Sequence, residues 1–594
     1  MLNKFHFPII LLLILLAIFS GLYGAKFGLD VTDTGFFLYS QYRLLNGGMT
    51  SESIQHLAIG SDWIGALWVY YVADNSLYIA KVGGVFLRFT VLTFVYMTVS
   101  NILKDKVYSA YLTIFSYFAF SSVFGFMIIN YDLAPLLPIS IIMWLLSIDS
   151  KENSSQPYIF LLIGSLLAAS TLMRIPLVLI PTLFITYLFL TKRYVMNGNI
   201  FFTVMGFFTV ILILVVVPTL NIAFQPLVET FSGVIDGFFK VSEDSILAAG
   251  EGHDAQGQLL GWLKSYFRLL IAAVLIFFLV YKIPASSSLY LVKKYSYIAI
   301  FLITFVLLFT LPQWIEVYGI SLDSIRKKFL FSTIVPVLVI FSVYVLLYKF
   351  NIKENERNLS VFIIILLLIF PVGSNSFGHK FSITYIVILP ILFSIMINNI
   401  DNKANKIKLL NSMILSRLKW LIVVVTVSTL MANIINFHNK PYRDSSVFNL
   451  KSKIDAAGLK GVRTTKERSI AISNVLNWIE KNSNKGDTLL AYGKISIFNF
   501  LLKLPGVFDL PWPSYLPVLE FSNKLRLLKL NDNLPKFIAL PLLDVDNNVW
   551  PLGGNKSSIS STKNMHILQK EINQYYKQGF ISNEFVVYVK RGDK

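Results

Sequence analysis

Apolar runs close to the thickness of a bilayer recur along most of this chain, and that recurrence constrains its fold more than any other feature. A helix needs about 20 predominantly apolar residues to cross the hydrocarbon core. Runs of that order fall near residues 8–24, 80–102, 107–126, 134–149, 158–173, 176–191, 199–219, 266–283, 295–311, 329–348, 359–373, 381–398 and 418–435. They predict a polytopic α-helical membrane protein with about 13 transmembrane helices. Only 14% of the 594 residues are charged and 55% are hydrophobic, whereas soluble domains carry about a quarter charged residues. Cysteine is absent, which excludes disulfides, thiolate catalysis and Cys-zinc sites. The six histidines are scattered, with no ligand-type spacing. The formal net charge of +19 is, in such a chain, a topology signal and an attraction to anionic lipid rather than a nucleic-acid footprint.

The first run, Phe7 to Tyr23, follows Lys4 and lacks an A-x-A cleavage site, so it reads as an uncleaved first helix. With the N-terminus inside, alternate loops carry the cations: Lys104 and Lys106; Lys192 and Arg193; Lys282, Lys293 and Lys294; Lys349, Lys353 and Arg357; Lys403, Lys406, Lys408, Arg417 and Lys419. This positive-inside pattern sends loops 25–79 and 220–265 to the outer face, together with everything after about residue 436. The expected organisation is a transmembrane domain over 1–435 and an extracytoplasmic domain over 436–594, in the cytoplasmic (inner) membrane of a bacterium. The tail alternates helix and strand signals: "ERSIAISNVLNWIEKN" and "NMHILQKEINQYYKQG" have helical spacing, while "DTLLAYG", "KFIALPLL" and "FVVYVKR" read as strands. That alternation predicts a small α/β domain. No P-loop, GxGxxG, GxSxG or HExxH occurs, so a nucleotide-driven pump is unsupported.

Some cations break the charge pattern. Arg174 lies in a very short outer turn, Arg326, Lys327 and Lys328 in an outer loop, and Lys380 follows His379 in "PVGSNSFGHK". Singly, each is an ordinary snorkelling cation at a helix end. Taken together, they would form a basic pocket for an anionic headgroup or phosphate at the outer leaflet.

"GLDVTDTGFFLYSQYRLLNGG", residues 28–48, sets Asp30 and Asp33 directly after the first span. Carboxylates so near a bilayer are costly unless something uses or pairs them. Here the sequence resembles the GT-C membrane glycosyltransferases, which carry an acidic motif in the first outer loop, then a helix along the membrane ending in glycine. Asp33 followed by Gly35, Tyr39 and Gly47 is the matching pattern. The resemblance implies a GT-C-like fold and transfer of a hexosyl or pentosyl group from a polyprenyl-phosphate-linked donor. The acceptor would be a glycan, a lipid-linked molecule or a protein, and the partners include membrane lipids but no nucleic acid. A carboxylate acting as general base on the acceptor hydroxyl contributes about 10²–10⁴-fold, and one-step attack inverts the anomeric centre. Asp33 is the expected base. Asp30, one helical turn away if the stretch is helical, would assist or hold a divalent metal, Mg or Mn.

Asp132, in the short outer turn of "NYDLAPLLP", is a second acid of the kind related enzymes carry, and the other candidate metal ligand. As an aspartate shortly before Pro135 it equally reads as a helix N-cap. Tyr39, Arg174, Arg326, His379 and Lys380 are candidate substrate-binding residues. His56 is added to them as the lone histidine of the first loop, with a structural role as its plainer reading. The acidic segment "VSEDSILAAGEGHDAQGQ" reads as a solvated loop or a flap over the acceptor. Tyr442, Arg443 and Asp444, just after the last span, sit close enough to frame the same cavity. The rival readings are a polysaccharide polymerase or ligase, a transporter or flippase of lipid-linked glycans, and a membrane scaffold.

Overall fold

The computed structural model describes residues 2–46, 59–120, 127–148, 157–191, 198–216, 352–371, 377–404 and 443–592, apart from 509, 517, 546–549 and 553–561 in the last stretch, plus a few isolated positions elsewhere. The predicted spans at 266–283, 295–311, 329–348 and 418–435 lie outside these residues or touch them only at isolated positions, as does the 220–265 loop.

The chain begins with α1 (Leu2–Gly24), α2 (Asp33–Asn46) and α3 (Ile59–Trp68), the last running into a π turn at Val69–Ala73. There follow α4 (Leu77–Leu103), α5 (Lys106–Phe120), α6 (Leu136–Ser147), α7 (Pro157–Met173), α8 (Leu179–Thr191) and α9 (Gly198–Val216). After the undescribed stretch come α10 (Glu354–Ile369) and α11 (Phe377–Ala404). Among the described residues, His6–Gly24 and Leu77–Leu103 are long and apolar enough to cross a membrane, and shorter apolar helices accompany them. Phe7, Leu12, Leu15 and Phe19 of α1 are exposed, an apolar outer face of the kind a membrane span turns toward lipid. The inner faces of α4, α6, α7, α8, α10 and α11 share one core, including Val95, Ile139, Leu167, Phe184, Phe362 and Ile388.

The tail contains α12 (Lys466–Asn482), α13 (Ile497–Leu502), α14 (Val518–Leu530) and α15 (Lys563–Tyr575). Its sheet runs β3 (Leu489–Ala491), β4 (Phe537–Pro541), β6 (Phe585–Lys590), β5 (Tyr576–Ile581), with β3 and β4 parallel and the other neighbours antiparallel. The small antiparallel pair β1 (Ser452–Lys453) and β2 (Arg463–Thr464) precedes it. The expected helices and strands are there, with one correction. The helix read through "NQYYKQG" stops at Tyr575, and the following residues are β5. Pairing with β6 satisfies their backbone groups, and Gly579, a poor helix former, lets Trp478 approach to 2.6 Å from where a Cβ would stand.

The tail is bonded to the segment that leaves α1. Phe27 bridges Arg463 of β2; Gly28 N donates to Arg463 O at 2.9 Å, and Arg463 N donates to Lys26 O at 2.6 Å. Leu29, Val31, Phe37 and Leu38 belong to the same core as Ile472, Leu476, Phe498 and Phe537. The segment between α1 and α2 therefore packs into the same core as the tail, and this continuity positions the site.

Candidate active site

α2 starts at Asp33, so the acids are not stacked on one helix. Asp30 sits ahead of it, and its carboxylate is used by the backbone. Oδ1 accepts from Thr32 N at 3.1 Å and Thr32 Oγ1 at 2.7 Å, while Oδ2 accepts from Thr34 N at 2.7 Å. These amides are among the donors that a helix start leaves without intrahelical partners. Asp30 is thus a helix-start carboxylate, 4% exposed, which corrects the expectation of two acids one turn apart.

Asp33 is in the first turn, where the helix dipole favours an anion. Its side chain is 27% exposed and meets Arg443 Nη2 at 3.1 Å, the Arg443 side chain being 25% exposed. Arg443 Nη1 also donates to Thr32 Oγ1 and stands 3.9 Å from Asp30. The three residues form a relay of charge-assisted bonds, Arg443 to Thr32 to Asp30, with Asp33 on its open side. Gly35 lets α2 lie against α13: an added Cβ would stand 2.6 Å from Ile497 N.

The floor of the site is held by buried charge. Lys81 of α4 donates to Phe27 O at 3.0 Å and Gly28 O at 2.6 Å. Asp444, fully buried, accepts from Leu29 N at 2.8 Å and Thr464 Oγ1 at 2.7 Å. Neither was singled out for such a role from sequence. Lys81 had a visible signal: with Arg88 it is one of two cations in the otherwise apolar α4.

A second charged pair lies on the far side of Tyr131. Arg174 Nη1 is 3.4 Å from Asp132 Oδ1, and both are buried. The guanidinium lies over Phe370 at 4.8 Å and Tyr131 at 5.7 Å. Burial raises the Tyr131 phenol, Asp132 raises it further, Arg174 opposes them, and Asp33 adds to the rise. The Asp33 charge therefore reaches Tyr131, and the two pairs share one neighbourhood. Tyr131 also packs on Phe37 of α2 at 5.4 Å. The expected cap role of Asp132 is not what forms: Asn130 Oδ1 accepts from the Asp132 and Leu133 amides at 3.0 Å each. Asp132 instead faces Arg174, because a buried guanidinium without a counter-charge is far costlier than an uncapped turn.

No family model matches the chain, and no curated protein does. Solved structures do. One is ArnT from Cupriavidus metallidurans bound to undecaprenyl phosphate, with 10% identity over 99% of this chain and 98% of that one, at a TM-score of 0.50. The fold is GT-C-like. An oligosaccharyltransferase from Archaeoglobus fulgidus tethered to an acceptor peptide aligns at a TM-score of 0.44, with 11% identity over 98% of this chain and 74% of that one. ArnT in the apo state aligns at 0.41, with 11% identity over 99% and 98%.

Within this GT-C-like frame, Asp30, Asp33, Asp132 and Arg174 gather at one end of the helical domain, under the tail. Tyr39 does not open onto that space: its hydroxyl accepts from Gly506 N at 2.7 Å, so it fastens α2 to the tail. Gln41 Nε2 likewise donates to Ile129 O at 2.8 Å. The position of Arg174 is fixed from α3, whose Ser61 hydroxyl donates to Met173 O at 2.8 Å. Arg326, His56 and Gly47 lie outside the described residues, as do the side chains of His379 and Lys380. Of the basic pocket expected from sequence, only Arg174 is described, and its charge is met by Asp132.

The described residues do not fit a divalent metal at Asp30 or Asp132. The first is engaged by Thr32 and Thr34, the second faces a guanidinium, and no three His, Cys, Asp or Glu side chains converge among the described residues.

Proposed function

We propose that this protein is a glycosyltransferase that moves a sugar from a polyprenyl-phosphate carrier to an acceptor hydroxyl at the outer face of the membrane. The observation that carries the reading is the Asp33–Arg443 pair, two side chains that meet at 3.1 Å and are each about a quarter exposed. Asp30, Asp132 and Asp444 are all buried and occupied. A general base must reach the proton it removes, and of these four acids only Asp33 has that access.

The acceptor oxygen attacks the anomeric carbon from the face opposite the phosphate. The carbon–oxygen bond to phosphate breaks, the phosphate leaves with the electron pair, and the acceptor proton passes to Asp33. The anomeric centre inverts. Arg443 is the cation that meets the charge growing on the leaving phosphate, an electrostatic contribution strengthened wherever water is excluded. Arg174, already opposite Asp132, serves the geometry of the far wall. The tail domain then lies outside the membrane, consistent with its bonds to the first outer loop.

The test is transfer from radiolabelled polyprenyl-phosphate sugars by purified protein, comparing the native chain with Asp33→Asn. The variant keeps the shape and most hydrogen bonds of the side chain, so the expected loss is about 10²–10⁴-fold in rate with the fold intact. Undiminished transfer by the folded variant refutes the assignment. Uptake of a solute into proteoliposomes without a glycosidic product replaces the reading with transport.

A further inference from the structure

Arg468 has no part in the chemistry described above, yet it is a heavily bonded charge at the junction. It lies in the first turn of α12, where Thr465 caps the helix by accepting from Arg468 N at 3.3 Å. Its phase with Ile472, Val475 and Ile479 turns the side chain inward, and it is 2% exposed. Nη1 donates to Leu29 O at 2.9 Å and to Arg443 O at 2.7 Å. Nε and Nη2 donate to Trp550 O at 3.0 and 2.8 Å, and the guanidinium lies 5.2 Å from the Trp550 ring centroid. Asp444 supplies the counter-charge at 3.3 Å.

Two of these acceptors flank the site. Leu29 immediately precedes Asp30, and its own amide is held by Asp444, so both of its backbone polar groups end on the Arg468–Asp444 pair. The other acceptor is the carbonyl of Arg443 itself. Arg443 has φ 53°, a left-handed backbone that a residue with a Cβ adopts at a cost. Such a conformation persists only where surrounding bonds over-determine it. The bond from Arg468 is one of them, and this backbone aims the Arg443 side chain at Asp33. A lysine could not do the same work, since a single ammonium cannot span carbonyls lying in several directions from one planar fork.

We propose that Arg468 is a positioning residue for the donor site. It fixes the Arg443 backbone against the segment carrying Asp30 and Asp33, so the tail domain sets the geometry with which a prenyl phosphate is met. The inference rests on the glycosyltransferase reading, through Arg443 as the phosphate's cation.

The experiment measures binding of undecaprenyl phosphate to the full chain in detergent by native mass spectrometry. It compares the native protein, Arg443→Gln, Arg468→Gln and the double variant. Loss of a charge-assisted bond weakens binding by about tenfold or more, and this is expected of each single variant. If Arg468 acts through Arg443, the double variant binds within about twofold of Arg443→Gln alone, because independent sites would multiply their effects. Multiplying losses, or native-like binding by Arg468→Gln, overturn the inference. Should Arg468→Gln fail to fold, Arg468→Lys keeps the charge opposite Asp444 while losing the shared carbonyl bonds, and the same comparison decides. Absence of saturable binding by the native chain refutes the donor reading and this inference with it. Intact native binding with multiplying losses refutes the inference alone.

Discussion

Gly35→Ala isolates packing from chemistry at this site, because it adds one methyl group and touches no charge. The added Cβ would lie 2.6 Å from Ile497 N, 2.8 Å from Ile497 Cβ and 3.1 Å from Ile497 Cα, against 3.4 Å or more for ordinary contact. Two of these three atoms are backbone, at the start of α13, so no side chain can swing aside. Two effects compete. Replacing glycine by alanine inside a helix stabilises by about 0.5–1 kcal/mol, whereas forcing a methyl group into packed surroundings costs about 1–3 kcal/mol. The steric term wins, leaving the protein about 1 kcal/mol less stable, and α2 moves from α13 by roughly 0.8 Å. Asp33 is two residues away and moves with it. Misplacement on the order of 1 Å can cost about 10²-fold in rate, so transfer should fall by about 10- to 100-fold. The assay pairs thermal unfolding followed by tryptophan fluorescence with radiolabelled sugar transfer. A variant with a higher melting temperature and native transfer would refute the reasoning, since it would mean that helix propensity, not the α2–α13 contact, governs this position.

Two further outcomes follow from buried charges. Arg174→Gln strands the Asp132 carboxylate and should destabilise the protein by about 3–5 kcal/mol, with much of this restored by adding Asp132→Asn; equal melting temperatures for native and single variant would contradict the pairing. Burial lifts the Asp62 carboxyl of α3 from its ordinary 3.8 up to about 8. Between those values the folded state holds a proton that the unfolded chain has lost, so this group's contribution to stability is full below about pH 3.8 and falls as pH rises toward 8. Unfolding measured across that window should show a downward slope that Asp62→Asn removes, and an unchanged slope in the variant would assign it to another group.

Much of the fold is legible in the sequence because its signals are local. The apolar runs at 8–24 and 80–102 correspond to α1 and α4, and the tail's amphipathic spacing and short apolar runs correspond to α12 and to β3, β4 and β6. Asp33 could be selected because its signal is also local, an acid directly after the first span. Arg443 was legible only as a neighbour in sequence of the membrane exit. Its bond to Asp33 spans most of the chain and depends on how the tail docks. Arg468 left a faint trace: it is in phase with Ile472, Val475 and Ile479 on the buried face of α12. A charge on an apolar stripe asks for buried partners, but nothing in one dimension names them as the carbonyls of Leu29, Arg443 and Trp550.

The roles of the acids divide along the same line. Sequence alone determined that carboxylates stand directly after an apolar run, where solvation cost asks for a use or a partner. Tertiary structure alone decided which of them remains available. Asp30 is taken by the start of α2, Asp132 by Arg174 and Asp444 by the Leu29 amide, leaving Asp33 partly open beside Arg443. Availability is set by which donors lie within about 3 Å in space, and those donors come from segments that only folding brings together.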